Sequence, residues 1–358
     1  MIIKKNAIFV SIASYRDELC SKTIESLYSN AKYPGNIFIG ICQQNTDEDA
    51  ECFDLNSELI KKYENNIRLI RLKNWEAKGP TYARYLCSTL WNGEEYFFQI
   101  DSHSILLKDW DEKAVNMIHE IKNTTKSKNV ILSHYPKELE AANNDNKGNE
   151  VPRICKSFFN DRGMISFLGA EAISISKHTY VETPYIAGGM LFSESKLLRD
   201  VPFDPNLDFL FVGEEISHSI RCWTAGYDIY TPSENLVFHF YTREEAPKIW
   251  TDKTYSDEDA FNKIKMLIKL SEDNIELPNY IQNNIEKYGL GTVRTLEDYY
   301  NFAGIDIKNK VVNKDFCKQE IIEKFSDSCS LSSPYKNILF FTIFVFYTVI
   351  ILLLFLNK

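Results

Sequence analysis

The order of strand-like and helix-like segments predicts an α/β fold with a parallel sheet. Two observations carry this expectation. Residues 7–13 are nearly continuous apolar and branched, as a strand buried on both faces must be, and helical and strand patterns then alternate to residue 100. Residues 96–100 end abruptly in Asp101-Ser102-His103, the kind of polar carboxyl end at which open α/β sheets bind ligands. With 358 residues there is room for one large α/β domain with appendages, or for two modest domains.

Each element follows from its residues. Residues 7–13 form the first strand, with Ser14, Tyr15, Arg16 and Asp17 at its carboxyl end. A helix fits 19–31, where Leu19, Thr23, Leu27 and Ala31 recur at helical spacing, and Pro34-Gly35 closes it. A second strand spans 36–42, a helix carries Leu55, Leu59 and Ile60, and a third strand spans 67–72. Pro80 opens the next helix at a first-turn position, where its missing N–H costs nothing. The fourth strand delivers Asp101 and His103, and a helix over 110–122 leads to a strand over 130–135. Residues 138–161, polar and Asn-rich, read as a long surface loop. Beyond it, Gly188-Gly189 lets a backbone approach a ligand closely or makes a tight turn. Residues 209–215 lead into a helix that carries Glu214 and Glu215 in its first turn and stops at Gly226. Short strands follow at 228–231 and 235–240, the second with His239, and helical patterns fill 256–324.

Composition narrows the function. A formal net charge of −9 lacks the basic footprint of a nucleic-acid-binding protein, so no nucleic-acid partner is expected. Asp101 and His103 lie two apart, so on an extended backbone both point the same way and can close on one cation. One oxygen and one imidazole nitrogen suit Mn²⁺ better than Ca²⁺, with Mg²⁺ as the alternative. Eight cysteines without a C-x-x-C pair read as free thiols of a reducing compartment. After the Ser-rich residues 326–334, the run 338–356 is apolar but for Thr342, Tyr347 and Thr348; as a helix it would span about 28 Å, enough to cross a bilayer. Lys318, Lys324 and Lys336 precede it and only Lys358 follows, so the expectation is a C-terminal tail anchor with the catalytic domain cytosolic.

Residues 11–17, 79–86, 99–103 and 288–304 together resemble the polypeptide α-N-acetylglucosaminyltransferase family, which includes hydroxyproline-directed cytoplasmic enzymes and protozoan mucin-type transferases. The resemblance covers residues 7–306. It implies a GT-A fold, that is, a Rossmann-like domain with a mixed sheet flanked by helices. On that reading 1–254 are catalytic, 255–325 a helical extension packed on them, 326–337 a linker and 338–356 the membrane helix. The implied reaction is metal-dependent, retaining transfer of N-acetylglucosamine from UDP to a protein or peptide hydroxyl. Asp101, His103 and His239 match the family's metal ligands. Ser14, Tyr15, Arg16, Asp17, Arg84 and Ser102 fall in the nucleotide region, and Gly188 and Gly189 would border the donor sugar. Glu214 would bind sugar hydroxyls and Glu215 would lie near the acceptor, while no residue stands out as a general base. Residues 211–215 and 219–223 also look like the sugar-binding stretch of polypeptide N-acetylgalactosaminyltransferases, which carry tryptophan and glycine in place of Phe211 and Val212. Another UDP-hexose, a glycan acceptor, or an inactive membrane-anchored binding module are the competing readings.

Overall fold

A computed structural model describes residues 2–139, 150–174, 179–243, 245–271, 277–282 and 285–318. Met1–Lys314 form one unit; of a second, Asp315–Lys358, only residues 315–318 are described. The opening alternation is β1 (Lys4–Tyr15), α1 (Cys20–Asn30), β2 (Ile37–Asn45), α2 (Glu58–Lys62), β3 (Ile67–Lys73), α3 (Pro80–Thr89) and β4 (Glu94–Asp101). β1 is buried on both faces because its two residue sets meet different layers. Ile8, Val10 and Ile12 pack with Ile24 and Leu27 of α1, whereas Phe9 joins Phe97 and Tyr227 on the other side.

The chain continues through β5 (Ser104–Leu106), α4 (Trp110–Thr125), β6 (Val130–Ser133), β7 (Lys137–Glu138), β8 (Glu150–Ile154), β9 (Ser157–Phe159), β10 (Ile165–Phe167) and β11 (Ala170–Ser174). Then come β12 (Val181–Glu182), β13 (Met190–Glu194), α5 (Leu197–Asp200), α6 (Glu214–Thr224), β14 (Asp228–Thr231), β15 (Val237–His239), α7 (Ile249–Asp252) and α8 (Glu258–Leu267). The main sheet is eight-stranded, in the order β12-β14-β6-β13-β4-β1-β2-β3. β1 pairs in parallel with β2 on one side and β4 on the other, with Ala13 level with both Cys42 and Asp101. Strand order reverses at β1, and the crevice at such a switch point is where α/β sheets place ligands. β13 runs antiparallel to β4, with Met190 opposite Ile100, so its entry through Gly188-Gly189 falls at the same edge as Asp101. The sheet is therefore mixed.

Two expectations change. Residues 138–161 are not simply a loop: β8 pairs with β11 and β9 with β10, and Gly163 turns the second hairpin at φ +72°. Buried Val151, Ile154 and Ile165 supply a core face that the polar neighbours mask in the sequence; residues 140–149 lie outside the described set. The cysteines are not all free thiols, because Cys20 and Cys52 are disulfide-bonded, with Cα atoms 4.8 Å apart. That bond removes the argument from unpaired cysteines for a reducing compartment. The expected membrane helix 338–356 and linker lie outside the described residues, among which no helix is long and apolar enough to cross a membrane.

Residues beyond 255 belong to the first unit as far as Lys314. Trp223 of α6 stacks on Phe302 and meets Tyr299 edge-on, both from the helix Leu296–Ala303. Gly291 has no room for a side chain, since a Cβ would lie 2.2 Å from the Ala225 nitrogen. The 288–304 stretch thus acts from behind: it fixes the end of α6, whose other end carries Glu214 and Glu215.

Candidate active site

β4 ends at Asp101, and the long-range antiparallel pairing of β5 with β15 sets His239 opposite Ser104, one residue after His103. Ligand atoms of Asp101, His103 and His239 all lie within 4.8 Å of one another. His239 Nε2 is 3.2 Å from Asp101 Oδ2, and the two imidazoles meet edge-on with centroids 4.5 Å apart. Burial alone would raise the Asp101 pKa, but the His239 hydrogen bond and the Arg84 charge hold it well below the usual carboxylate range. A carboxylate kept ionised between two imidazoles fits a divalent metal of the Mn²⁺ or Mg²⁺ class. Two further observations agree. The buried His239 Nδ1 has no protein partner, and Gly189 leaves Asp101 Oδ2 its space, since a Cβ there would sit 2.9 Å from that oxygen.

Arg84, buried in the first half of α3, ties this cluster to α6. Its guanidinium pairs with Asp101 Oδ1 at 3.2 Å and with Glu214, and donates to the Gly188 carbonyl at 3.1 Å. α6 is preceded by Gly213, whose φ of +102° suits glycine, and so aims two carboxylates at the crevice. Glu215 accepts from the Gly188 N–H at 2.7 Å and from the Tyr135 hydroxyl at 2.7 Å. Burial pushes its pKa up, against those two hydrogen bonds, which favour the ionised form. Gly188 is thus clamped from both peptide sides, by Arg84 on its carbonyl and Glu215 on its N–H.

At the end of β1 the predicted residues divide. Arg16 is spent on ion pairs with Asp49 at 2.9 Å and Asp252 at 2.7 Å, the second shared with the Tyr15 hydroxyl at 2.9 Å. Ser14 is fully buried. Asp17, expected in the nucleotide region, has both oxygens engaged by the protein: Oδ1 by the Leu19 N–H, and Oδ2 by Ser102 Oγ and His103. Its neighbour in the site is a histidine, not solvent. Burial would raise its pKa, but His103 and Arg243 outweigh this and lower it.

These groups surround a cavity of about 630 Å³, a size usual for small-molecule sites, and every predicted site residue except Ser14 and Arg16 lines it. Sequence reasoning missed Gln44, Tyr135, Tyr241, Arg243 and Trp250, which also line it. Gln44 stands at the carboxyl end of β2, donates to the Ser14 carbonyl at 3.1 Å and keeps a buried, unpartnered Oε1. Its place at a strand end was the available signal. Arg243 and Tyr241 follow His239 on an irregular segment whose course only the fold reveals. At the mouth, exposed Phe211 and Trp250 lie with ring centroids 5.2 Å apart.

The glycosyltransferase (GlcNAc) family profile matches residues 7–64 and 53–309. No curated protein matches the sequence. Among solved structures, GalNAc-T7 with UDP, GalNAc and Mn²⁺ is similar at a TM-score of 0.52 and 13% identity, over 73% of this chain and 48% of that one. The chain thus spans about half the length of GalNAc-T7. TarS 1-349 from S. aureus in complex with UDP-GlcNAc aligns at a TM-score of 0.45 and 13% identity, over 75% of this chain and 68% of that one. The likeness to GalNAc-T7 is one of fold, and the fold is the GT-A glycosyltransferase architecture. With the profile covering most of its length, the chain belongs to the glycosyltransferase (GlcNAc) family.

Proposed function

We propose that this protein is a metal-dependent, retaining transferase that moves N-acetylglucosamine from UDP-GlcNAc to a polypeptide hydroxyl. The observation that carries the reading is the Asp101–His103–His239 cluster at the switch point of the sheet, beside the Arg84-linked Glu214. Family membership, and the UDP and Mn²⁺ held by GalNAc-T7, support the donor class and the metal. Cleaving the donor leaves an extra negative charge on the diphosphate, which a chain of net charge −9 does not neutralise through its general field. A divalent cation held by Asp101, His103 and His239 would supply that charge stabilisation.

The remaining residues orient the donor. Glu214, fixed by Arg84, is the acceptor for sugar hydroxyls, and the clamped Gly188-Gly189 backbone forms the wall beside the sugar. Glu215, held by Gly188 and Tyr135, supports that wall more directly than it meets an acceptor. Gln44 Oε1 offers a buried acceptor to the base. Phe211 and Trp250 give an apolar mouth for the acceptor chain. Membrane attachment through 338–356 belongs to the same proposal, resting on its apolar run and the lysines before it.

The test is a donor panel with Mn²⁺ and the full chain. UDP release from UDP-GlcNAc, faster than from UDP-GalNAc or UDP-glucose, supports the assignment; no release from any donor, with or without candidate acceptor extracts, overturns it.

A further inference from the structure

We propose that Asp17 is a positioning residue: it fixes the tautomer of His103 so that Nε2 is bare and faces the metal site. Asp17 leaves the end of β1 and meets His103 only because β1 and β4 pair in parallel, Ala13 beside Asp101. It is buried, and its Oδ2 lies 2.6 Å from His103 Nδ1. A carboxylate accepts and cannot donate, so Nδ1 must carry the proton. Arg243 Nη1 lies against both ring nitrogens, 2.6 Å from Nδ1 and 3.0 Å from Nε2, and so selects neither tautomer; the selection comes from Asp17. With Nδ1 protonated, the neutral ring leaves Nε2 as the bare nitrogen. The opposite tautomer would set a bare Nδ1 against the carboxylate at 2.6 Å. Arg243 Nη2 pairs with Asp17 Oδ2 at 3.2 Å, which keeps that oxygen an acceptor.

The carboxylate is itself held in one orientation. The Leu19 N–H binds Oδ1 at 3.0 Å, and the Ser102 hydroxyl binds Oδ2 at 2.6 Å. Carboxylates placed behind metal-binding histidines fix their ring orientation and raise their basicity. The role rests on the proposed metal function of His103, whereas the tautomer is a property of the metal-free protein.

Asp17→Asn is a sharp test because the Leu19 N–H keeps the amide oxygen, which turns the amide NH₂ towards His103 Nδ1. Long-range ¹⁵N–¹H spectra of the metal-free full chain at pH 8, with His103 assigned by loss of its signals in His103→Gln, read the tautomer directly. Nδ1–H in the wild type and Nε2–H in Asp17→Asn are expected. Mn²⁺ affinity by calorimetry should fall about tenfold to a hundredfold in Asp17→Asn. It should change less than about threefold in Arg71→Gln, a residue outside the cavity that pairs with Glu51 at 3.1 Å. A bare Nδ1 in the wild type, or an Asp17→Asn variant with unchanged tautomer and affinity, overturns the proposal. If Asp17→Asn does not fold, the wild-type spectrum decides. The expected tautomer in a protein that takes up no Mn²⁺ would support the assignment of Asp17 and overturn the metal function of His103.

Discussion

Gly189 stands against Asp101 so closely that a Cβ would lie 2.9 Å from Asp101 Oδ2. Gly189→Ala should therefore displace the carboxylate and not the fold. Mn²⁺ affinity should fall about tenfold or more, in line with the loss of a ligand's supporting geometry, while the thermal midpoint shifts by only a few degrees. Calorimetry and thermal unfolding on one sample check both halves; unchanged affinity would free Gly189 from any part in the site.

Glu214→Gln separates sugar contact from metal binding. Glutamine keeps a hydrogen bond to Arg84 but loses the charge, and Arg84 retains Asp101 as its partner. UDP affinity should stay within about threefold, while transfer falls by about two orders of magnitude because donor orientation is lost. Collapse of UDP binding would assign Glu214 to the metal or the fold.

The legible part of this molecule was what depends on neighbours in sequence. The strands β1 to β4, the stop of α6 at Gly226, and Asp101 with His103 all follow from local patterning. Antiparallel β13 was missed because it is short and its partners, β4 and β6, lie far away in the chain. The same holds for Asp17. As a polar residue after a strand it looked free to meet a ligand, and only the pairing of β1 with β4 shows that His103 takes its oxygen. Tyr135 and Arg243 carried no motif at all, since their place in the cavity comes from non-local contacts.

Lys263 and Asp204 form an ion pair at 2.6 Å with side chains 1% and 3% exposed. Removing one partner strands a buried charge, which costs more than the pair contributes. Asp204→Ala should lose about 3–5 kcal/mol of unfolding free energy by denaturant titration. A loss under about 1 kcal/mol would mean that water reaches Lys263.

His134 sets a pH dependence of stability. Burial lowers its pKa from 6.5 to about 4, with the Tyr135 carbonyl opposing. Above pH 6.5 the ring is neutral in both states. Below it the unfolded chain takes up a proton that the folded ring refuses, so stability falls as the pH drops towards 4, by about 2 kcal/mol from this group at pH 5. Asp17 and Asp101, held below their ordinary range, titrate under that window. Denaturant unfolding at pH 7 and pH 5 should show a smaller loss for His134→Gln than for the wild type. Equal losses would place a charged His134 in the folded protein.

The proposed metal-bound nucleotide site is tested most directly by calorimetric titration of UDP into the full chain, with Mn²⁺ or with chelator, for the wild type and His239→Ala. The account predicts tight UDP binding only with the metal, and a fall of about tenfold to a hundredfold in His239→Ala. UDP affinity that is the same with chelator as with Mn²⁺, and the same in the variant as in the wild type, would contradict it.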